Sequence, residues 1–327
     1  MVPPDYFWPA GFIAYTIPLI ILFNFFLLIA KIRSIQFSAL YPIIILIIGI
    51  GYVRDTFSLN LTQDEGDITI ISYNTKVFNI YENDGNDTKS VTSMINWANE
   101  QYADIICMQE FYNNGKSSVF NTLNKISKAH SYYYYHVPVV TNTKGAEFGT
   151  VIFSRYPIID TGVVPFSEST KNNVIYTDLN LGNDTLRIYN MHLQSMHINE
   201  NDVVNTEDLA TGLNHVFPRL KSGFISRAGQ IRSLKKHLSE CPYPIVLCGD
   251  LNDLPYSYAY QELENDLSNG FKQAGSGFGF TYNGKLFFLR IDNHFFSDEL
   301  EINSFQTHRE MKKSDHFPIS ATYTIKK

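Results

Sequence analysis

The sequence predicts a layered α/β domain preceded by an apolar segment that anchors it to a membrane. Three observations support this fold class. The chain is almost entirely apolar up to Val53, and after about Asn60 it changes to a mixture of strand-like runs, helical runs and polar turns. From Ile68 onward, short runs of β-branched and aromatic residues alternate with helical stretches. Several strand-like runs, such as residues 105–108 and 245–248, are continuously apolar, which is typical of strands covered on both faces.

One globular domain, residues 67–327, is predicted to follow the anchor (residues 1–55) and a linker (residues 56–66). Its predicted strands span residues 68–73, 105–109, 132–137, 150–154, 174–180, 186–192, 245–250, 289–296 and 319–324. Its predicted helices span residues 88–100, 118–128 and 219–240. The last helix carries Arg227, Arg232, Lys235 and Lys236, which are predicted to form a solvated face. Residues 197–212 are polar and rich in Asn and Asp, which indicates a long loop.

The anchor is predicted to consist of two transmembrane helices, at about residues 9–30 and 37–53. Residues 10–30 carry no charge and match the roughly 20 residues that a helix needs to cross a bilayer. Residues 37–53 form a second uncharged run. A cleaved signal peptide and a buried core helix are the alternatives. The first run, however, lacks a basic region before it and a small-residue cleavage site after it, so a transmembrane hairpin is favoured.

The orientation of the hairpin follows from the short loop between its two apolar runs. Lys31 and Arg33 are the only charged residues of that loop. Positively charged residues in short loops stay on the cytoplasmic side of a membrane. The sequence therefore predicts a multi-pass membrane protein whose globular domain lies on the outer side.

The net charge argues against a tight binder of polymeric nucleic acid. The formal charge of the chain is −6, and residues 1–55 contribute Lys31, Arg33 and Arg54 against Asp5 and Asp55, which leaves −7 for the remainder. An acidic domain lacks the broad basic surface that neutralises phosphates along a nucleic acid. The three cysteines show no metal-binding spacing and are predicted to behave as free thiols.

Polar side chains occur at or just beyond the ends of the apolar strands. These residues are Asn74, Glu110, His192, Asp250, Asn252, Asp315 and His316. Strand ends that gather at one sheet edge are a frequent place for a site. Oxygen ligands for a hard cation, a carboxylate that orients water and imidazoles near an oxyanion suit phosphoester hydrolysis, whereas no His/Cys cluster indicates zinc. Each residue alone also fits a helix cap or an Asx turn, so the joint occurrence in this order carries the prediction.

The order of the motifs resembles that of the endonuclease/exonuclease/phosphatase superfamily, whose fold is that of deoxyribonuclease I. The motifs are Gln109-Glu110, Asn190-Met191-His192-Leu193, Gly249-Asp250-Leu251-Asn252, Arg290-Ile291-Asp292 and Ser314-Asp315-His316. The resemblance covers nearly the whole globular part. It implies a four-layer α/β/β/α sandwich and, together with the apolar anchor, a membrane-anchored, bacterial-type hydrolase of ester bonds. Such a protein would lie in the bacterial inner membrane with its catalytic domain on the periplasmic side.

The resemblance also implies a cofactor and its ligands. Glu110 is the expected principal ligand of Mg²⁺ or Mn²⁺, with Asn74 beside it. Asp315 is expected to be a further acidic ligand or to contact the metal through water. A phosphodiester or phosphomonoester would then be hydrolysed by in-line attack of an activated water molecule.

The remaining motif residues are assigned to the acid–base chemistry by the same resemblance. Asp250 and His316 share the role of general base and acid, and the sequence assigns that role to them jointly. Asp292 is expected to orient His316 through an imidazole–carboxylate hydrogen bond. Asn252 and His192 are expected to bind the scissile phosphate.

One departure from the family pattern narrows the function. Abasic-site endonucleases carry an acidic residue two positions after the asparagine of the first motif, and Lys76 stands there in this chain. DNA repair is therefore disfavoured. The expected substrate is a phosphoester, either a lipid head group or a small phosphoester, and less readily a nucleic acid. The second expected partner is the bilayer around the hairpin. No protein partner is predicted. The alternatives are a nuclease acting on DNA or RNA and an inactive binding or scaffold domain.

Overall fold

Helices and strands alternate along the part of the chain that the computed structural model describes, which is residues 1–33, 37–60, 66–81, 88–166, 171–196 and 209–326. The helices are α1 (Pro9–Arg33), α2 (Leu40–Ile48), α3 (Ile50–Thr56), α4 (Thr88–Glu100), α5 (Thr122–Ala129), α6 (Leu209–Ser239), α7 (Tyr258–Glu264) and α8 (Gly270–Ala274). The strands are β1 (Ser58–Leu59), β2 (Ile68–Asn74), β3 (Ile105–Asn113), β4 (Tyr133–Thr141), β5 (Glu147–Ser154), β6 (Ile158–Val163), β7 (Asn173–Asn180), β8 (Thr185–His192), β9 (Ile245–Asp250), β10 (Ser268–Asn269), β11 (Ser276–Gly277), β12 (Asp292–Phe296), β13 (Leu300–Thr307) and β14 (Ile319–Ile325).

Two six-stranded sheets form the centre of the domain. Their strand orders are β13-β14-β2-β3-β5-β4 and β10-β12-β9-β8-β7-β6. Neighbouring strands are antiparallel, except for the pairs β2–β3 and β8–β9, which are parallel. Because parallel neighbours end at the same edge of a sheet, the carboxyl ends of these four strands can hold functional side chains close together.

The two sheets pack face to face, and helices cover their outer faces. Ile70, Cys107, Ile188 and Cys248 are fully buried between the sheets, with both thiols free. α4 and α5 cover the outer face of the first sheet, and α6 and α7 cover that of the second. Each aliphatic side chain buried in this way stabilises the fold by about 1.5–3 kcal/mol. The predicted four-layer α/β/β/α sandwich is confirmed.

Most predicted elements are present, and the differences follow from tertiary contacts. The strand predicted at residues 289–296 begins only at Asp292, because the Leu289 carbonyl accepts hydrogen bonds from the Thr281 and Tyr282 backbones. The helix predicted at residues 219–240 begins at Leu209, so residues 209–212 of the predicted loop are helical. Residues 197–208 of that loop and 61–65 of the predicted linker lie outside the described residues. β6, β13 and α7 were not predicted.

The apolar N-terminal part contains one helix that is long and apolar enough to cross a membrane, as far as the described residues show. α1 has 25 residues and a mean hydropathy of 2.4, and at 1.5 Å per residue it is about 37 Å long. The second apolar run is not the continuous helix predicted at residues 37–53. It breaks at Gly49, where the segments Phe37–Ile48 and Ile50–Thr56 meet at an angle of 72°. The structure therefore gives no support to two straight transmembrane helices.

The bend at Gly49 brings α3 onto the globular domain. The carboxylate of Asp55, near the end of α3, is buried and lies 3.0 Å from Lys272 Nζ. It also accepts a hydrogen bond from the Tyr260 hydroxyl (3.2 Å), and the Asp55 carbonyl accepts one from the Arg290 guanidinium (2.6 Å). A buried carboxylate is stable only with such partners. Glycine has a low helix propensity, so Gly49 is a favourable place for the break.

The first half of α1 also packs on the domain. Phe12 stacks on Phe217 of α6 with ring centroids 4.7 Å apart. Ala14 is buried against Leu254 in the segment that follows β9, and the hydroxyl of Tyr15 donates to the carboxylate of Asp253 in that segment (3.4 Å). The exposed apolar surface of α1 is concentrated from Leu19 onward.

The four basic residues of α6 named above were predicted to form one solvated face. For Arg227 this prediction is wrong. Its guanidinium is fully buried, with Nε donating to Asp253 at 2.9 Å and Nη1 donating to the Gln194 carbonyl at 2.8 Å. Arg232, one and a half turns further along α6, pairs instead with Asp5 at the surface. Buried charge pairs depend on both partners, whereas exposed pairs contribute little.

We expect Arg227→Ala to lower the free energy of unfolding by about 3–5 kcal/mol, because Asp253 would be left buried without its cation. The matched change Arg232→Ala removes an exposed partner on the same helix and should cost about 0–1 kcal/mol. Chemical denaturation of the full chain in detergent micelles would measure both. Equal costs for the two variants would contradict this account of the buried pair.

Candidate active site

The predicted site residues converge at the edge where β2, β3, β8 and β9 end. His192 at the end of β8 pairs in register with Asp250 at the end of β9. Asp292, the first residue of β12, pairs with Asp250 from the other side. The second sheet thus presents an imidazole and two carboxylates side by side. Asn74, at the end of β2, approaches from the first sheet.

Glu110 is turned towards the site by a bulge in β3. The pairing of β3 with β5 shifts between Met108 and Phe111, and Glu110 has a positive φ of 46°. The hydroxyl of Thr75 donates to the carbonyls of Gln109 (3.2 Å) and Glu110 (2.9 Å), which holds the bulged backbone in place. A bulge of this kind redirects a side chain without ending the strand.

Gly249 allows Asp250 to sit close to the neighbouring strand. Its φ is +134°, and a Cβ at this position would lie 2.0 Å from the Met191 carbonyl oxygen. Glycine adopts such a conformation without steric cost, whereas other residues do not. The glycine of the Gly249-Asp250-Leu251-Asn252 motif is therefore required by the backbone.

The carboxylate of Asp250 is the centre of the hydrogen-bond network. Its Oδ2 accepts from the side-chain amides of Asn74 (3.0 Å) and Asn252 (3.1 Å), and its Oδ1 accepts from the Asn252 backbone (2.8 Å). Burial, with a further contribution from Asp292, raises the pKa of Asp250 to about 6 against the lowering effect of His316 and His192. Such a carboxylate is able to exchange a proton near neutral pH.

His316 is held by a carboxylate, as predicted. Its Nδ1 lies 2.8 Å from Asp292 Oδ2, and its Nε2 lies 3.9 Å from Asp250 Oδ2. The backbone N–H of His316 donates to the Ser314 hydroxyl, which donates to the Asn74 carbonyl. Burial lowers the pKa of His316, but Asp292 and Asp250 outweigh burial and raise it well above its usual range.

The second imidazole of the site, that of His192, lies between Asp250 and Glu110. His192 Nε2 is 3.8 Å from Asp250 Oδ2 and 3.6 Å from Glu110 Oε1. Asn252 has a positive φ of 53°, and its amide also donates to the Leu193 carbonyl (3.0 Å). The structure thus brings His192 and Asn252 to the same side of Asp250, where a bound phosphate could contact both.

The expected metal ligands also lie at this edge. Burial and the Asp315 carboxylate raise the pKa of Glu110 against the lowering effects of His316, Asn74 and Lys76. Lys76 Nζ is 3.8 Å from Asp315 Oδ2 and supplies one positive charge. The amide of Asn74 donates to Glu110 (3.5 Å), while its Oδ1 accepts from the Lys76 backbone. The carboxylates fit a hard cation, and Asn74 would present its oxygen only after its amide turned over.

A second group of side chains has the spacing of metal ligands. One ligand atom from each of Asp250, Asp292 and His316 lies within 4.8 Å of the others. A cation there would displace the 2.8 Å hydrogen bond between His316 and Asp292. The spacing of the three residues thus fits either a cation or the hydrogen-bonded imidazole–carboxylate pair, and the two exclude each other.

Sequence reasoning missed the wall of a cleft beside the site residues. A cavity of about 380 Å³ opens beside Glu110 and His192. Its other lining residues include Val77, Tyr81, Val140, Phe148, Thr150, Lys171 and Asn172. None of these directly follows an apolar strand as the motif residues do, so no sequence pattern marked them.

The fold and the row of carboxylates and imidazoles define a deoxyribonuclease I-like class of protein. The profile described as "Endonuclease/Exonuclease/phosphatase family" matches residues 71–316. The chain belongs to this family, whose members are generally hydrolases of phosphoesters. Residues 1–56 match a separate profile, a domain of unknown function. No curated protein matches the chain.

Solved structures share the fold at low sequence identity. An endonuclease/exonuclease/phosphatase from Beutenbergia cavernae is 14% identical, covers 80% of this chain and 72% of its own, and has a TM-score of 0.57. The human Nocturnin catalytic domain with bound sulfate is 16% identical, covers 83% and 98%, and has a TM-score of 0.57. A mannosyl-6-phosphatase from Bacteroides thetaiotaomicron is 17% identical, covers 79% and 99%, and has a TM-score of 0.55. At these identities the likeness shows the fold alone.

We expect Gly249→Ala to destabilise the protein by several kcal/mol and to abolish turnover, because the added Cβ would force the Met191 backbone away. Gly229→Ala is the matched control. Gly229 lies in α6, and the nearest atom to an added Cβ there is 4.0 Å away. The control should be neutral or stabilising by up to about 1 kcal/mol. Thermal unfolding measures both changes, and a stable, active Gly249→Ala protein would contradict the argument.

Proposed function

We propose that this chain is a divalent-metal-dependent phosphoesterase that hydrolyses a phosphodiester or phosphomonoester by in-line attack of water. The observation that carries the proposal is the contact of Asp250 with two amide donors and two imidazoles, beside Glu110 at one strand edge. The family supports the reaction class. Membership alone does not select a substrate, because the neighbours named above differ in what they act on.

The acid–base chemistry is assigned to Asp250 and His316 jointly. Asp250 Oδ2 is buried and lies within 4 Å of both imidazoles, which supports a role in which it would take the proton of the attacking water. Against the lowering effect of burial, Asp292 and Asp250 raise the pKa of His316, so the protonated ring would donate from Nε2 to the reacting phosphoester while Nδ1 donates to Asp292. His192 would bind a phosphate oxygen, and the Asn252 amide would do so after releasing the Asp250 or Leu193 oxygen to which it donates. Mg²⁺ or Mn²⁺ held by Glu110, with Asn74 and Asp315 beside it, would polarise a phosphoryl oxygen and offset negative charge.

The N-terminal segment supports a membrane location. We propose that α1 and the bent α2–α3 segment hold the domain at a bilayer, since α1 has the length and hydropathy of a membrane span. The outer, periplasmic orientation rests on Lys31 and Arg33 and stays a prediction. An inactive scaffold is disfavoured, because each acidic and histidine position of the family motifs carries an acid or a histidine in this chain. These side chains also lie at one strand edge. A nuclease remains an alternative without a specific observation in its favour.

We expect Asp250→Ala/His316→Ala to reduce turnover by about 10⁴-fold or more, because the variant lacks both proton-transfer groups. The full chain would be purified in detergent, treated with EDTA and assayed with Mg²⁺ or Mn²⁺ on bis-p-nitrophenyl phosphate and p-nitrophenyl phosphate. Asp160→Ala/His215→Ala, which changes an exposed acid and an exposed histidine, should retain activity. Turnover that survives the first double substitution, or that needs no metal, would contradict the proposal.

Asp292→Asn tests the orienting role of this carboxylate separately. The substitution keeps the size of the side chain but removes the charge that fixes the His316 imidazole. We expect kcat to fall about 10²–10⁴-fold with little change in KM, because substrate contacts are unaffected. Steady-state kinetics with the soluble ester would measure the split. A rise in KM at constant kcat would instead assign Asp292 to substrate binding.

A further inference from the structure

An exposed apolar patch lies between the N-terminal segment and the active site. We call it the aromatic rim and define it by Phe57, Leu59, Phe278, Phe287 and Phe288. Their exposed fractions are 37%, 71%, 48%, 64% and 52%, respectively. None of these side chains carries a polar atom. The rings of Phe57 and Phe278 are in contact, as are those of Phe287 and Phe288. Clusters of exposed apolar side chains usually mark a site that another apolar body covers.

The aromatic rim is continuous with the membrane segment. Phe57 directly follows α3, and its ring contacts that of Phe278 with centroids 5.0 Å apart. β1 then pairs with β11, which joins the chain leaving α3 to the residues just before Phe278. At the other end of the rim, Leu289 follows Phe288 and packs against the cluster that contains Ala14 of α1. Phe57 thus directly follows one N-terminal helix, and the residue after Phe288 packs on the cluster that contains another.

The segment that joins Phe278 to Phe287 is hydrogen-bonded to the site residues Asp292, Asp315 and His316. Tyr282 forms a β-bridge with His316, and its ring lies edge-on to the imidazole at 5.5 Å. The Asn283 backbone donates to the Asp315 carbonyl, and the Thr281 hydroxyl accepts from the Asp292 backbone (3.1 Å). Residues 281–283 thus run alongside Ser314-Asp315-His316, while the side chains of residues 278, 287 and 288 are exposed to solvent.

Position and chemistry together select the surface that the rim contacts. Phe and Leu side chains beside a membrane helix enter the acyl boundary of a bilayer, where burial of apolar area is favourable. Other exposed aromatics, such as Tyr102, Tyr133 and Tyr134, carry hydroxyl groups. Tyr133 pairs with Ser154, which pairs with Ile105 at the start of β3, so it lies at the sheet edge opposite Glu110. The aromatic rim is therefore suited to contact with a lipid surface. If α1 spans a bilayer, that bilayer lies next to the rim.

We propose that the aromatic rim inserts into the bilayer that holds α1, and that the substrate is a phosphoester in the head group of a lipid of that bilayer. The inference rests on the proposed phosphoesterase function and adds the substrate class. Insertion of Phe278, Phe287 and Phe288 brings His316 and Asp292 to the head-group layer. A lipid would reach the site without leaving the membrane.

Insertion is tested directly by Phe287→Trp in the full chain, reconstituted in phosphatidylcholine bilayers with brominated acyl chains. The fluorescence that the substitution adds to that of the two native tryptophans should be quenched. Tyr133→Trp, an exposed aromatic outside the rim, should add fluorescence that is not quenched. An unquenched signal from Phe287→Trp would overturn the proposal, and would leave a protein partner or a second copy as the cover of the rim.

Substrate class is tested by comparing one head group in two physical forms. The full chain in bilayers would be assayed with long-chain sphingomyelin, phosphatidylinositol phosphates and phosphatidate in the bilayer, with short-chain versions as monomers, and with bis-p-nitrophenyl phosphate. We expect Phe278→Ser/Phe287→Ser/Phe288→Ser to lower turnover of the bilayer lipid at least about tenfold and to leave the soluble esters unchanged. Tyr102→Ser/Tyr133→Ser/Tyr134→Ser should leave both unchanged.

The outcomes separate the two proposals. Wild-type protein that cleaves soluble esters but none of the bilayer lipids would overturn the substrate class and keep the phosphoesterase function. Wild-type protein that cleaves nothing in the presence of metal would contradict the phosphoesterase function itself. Equal lipid turnover by the rim variant and the wild type would also overturn the role of the rim. If the rim variant loses all activity by misfolding, the quenching of Phe287→Trp decides.

Discussion

The buried carboxylate of Asp250 is the constraint on which the rest of the site depends. A carboxylate taken out of water needs donors on all sides, and Asp250 receives them from both sheets. Asn74 reaches it from the first sheet, and Asn252 folds back to it from the turn after β9. The hydrogen bond between Asn74 and Asp250 therefore crosses the sandwich and fixes how the two sheet edges meet. The two imidazoles are placed by the same geometry.

The N-terminal helices and the catalytic domain form one structure through buried charges. Asp55 of α3 is satisfied by groups of the domain, and Asp253, one residue beyond Asn252, is satisfied by Arg227 and Tyr15. Arg227 also holds the Gln194 carbonyl, two residues beyond His192. The segments that leave β8 and β9 towards the site are thus braced by α6 and α1. The N-terminal helices are therefore part of the support of the strand edge that carries the site.

Strained backbone occurs at the same edge. Four consecutive residues, Lys76 to Asn79, have φ between 46° and 56°, a conformation that costs an L-residue about 1–2 kcal/mol. Fully buried Phe78 and the hydrogen bond from the Asn79 amide to the Lys313 carbonyl hold this left-handed turn. The turn places Lys76 beside Asp315, so the residue that departs from the abasic-endonuclease pattern supplies positive charge to an acidic site. Strain of this kind is kept where the surrounding packing over-determines it.

The sequence by itself determined the sandwich, the long central strands and the motif residues at their ends, because local patterns and short motifs carry that information. It could not show that α6 starts at Leu209, that the second apolar run bends at Gly49, or that Arg227 is buried. Each of these depends on a partner far away in the chain. Only the tertiary structure brought Phe57 against Phe278 and Tyr282 against His316, since these contacts join segments that no local pattern relates. Distances between side chains, and the surface that they leave exposed, are properties of the packed fold.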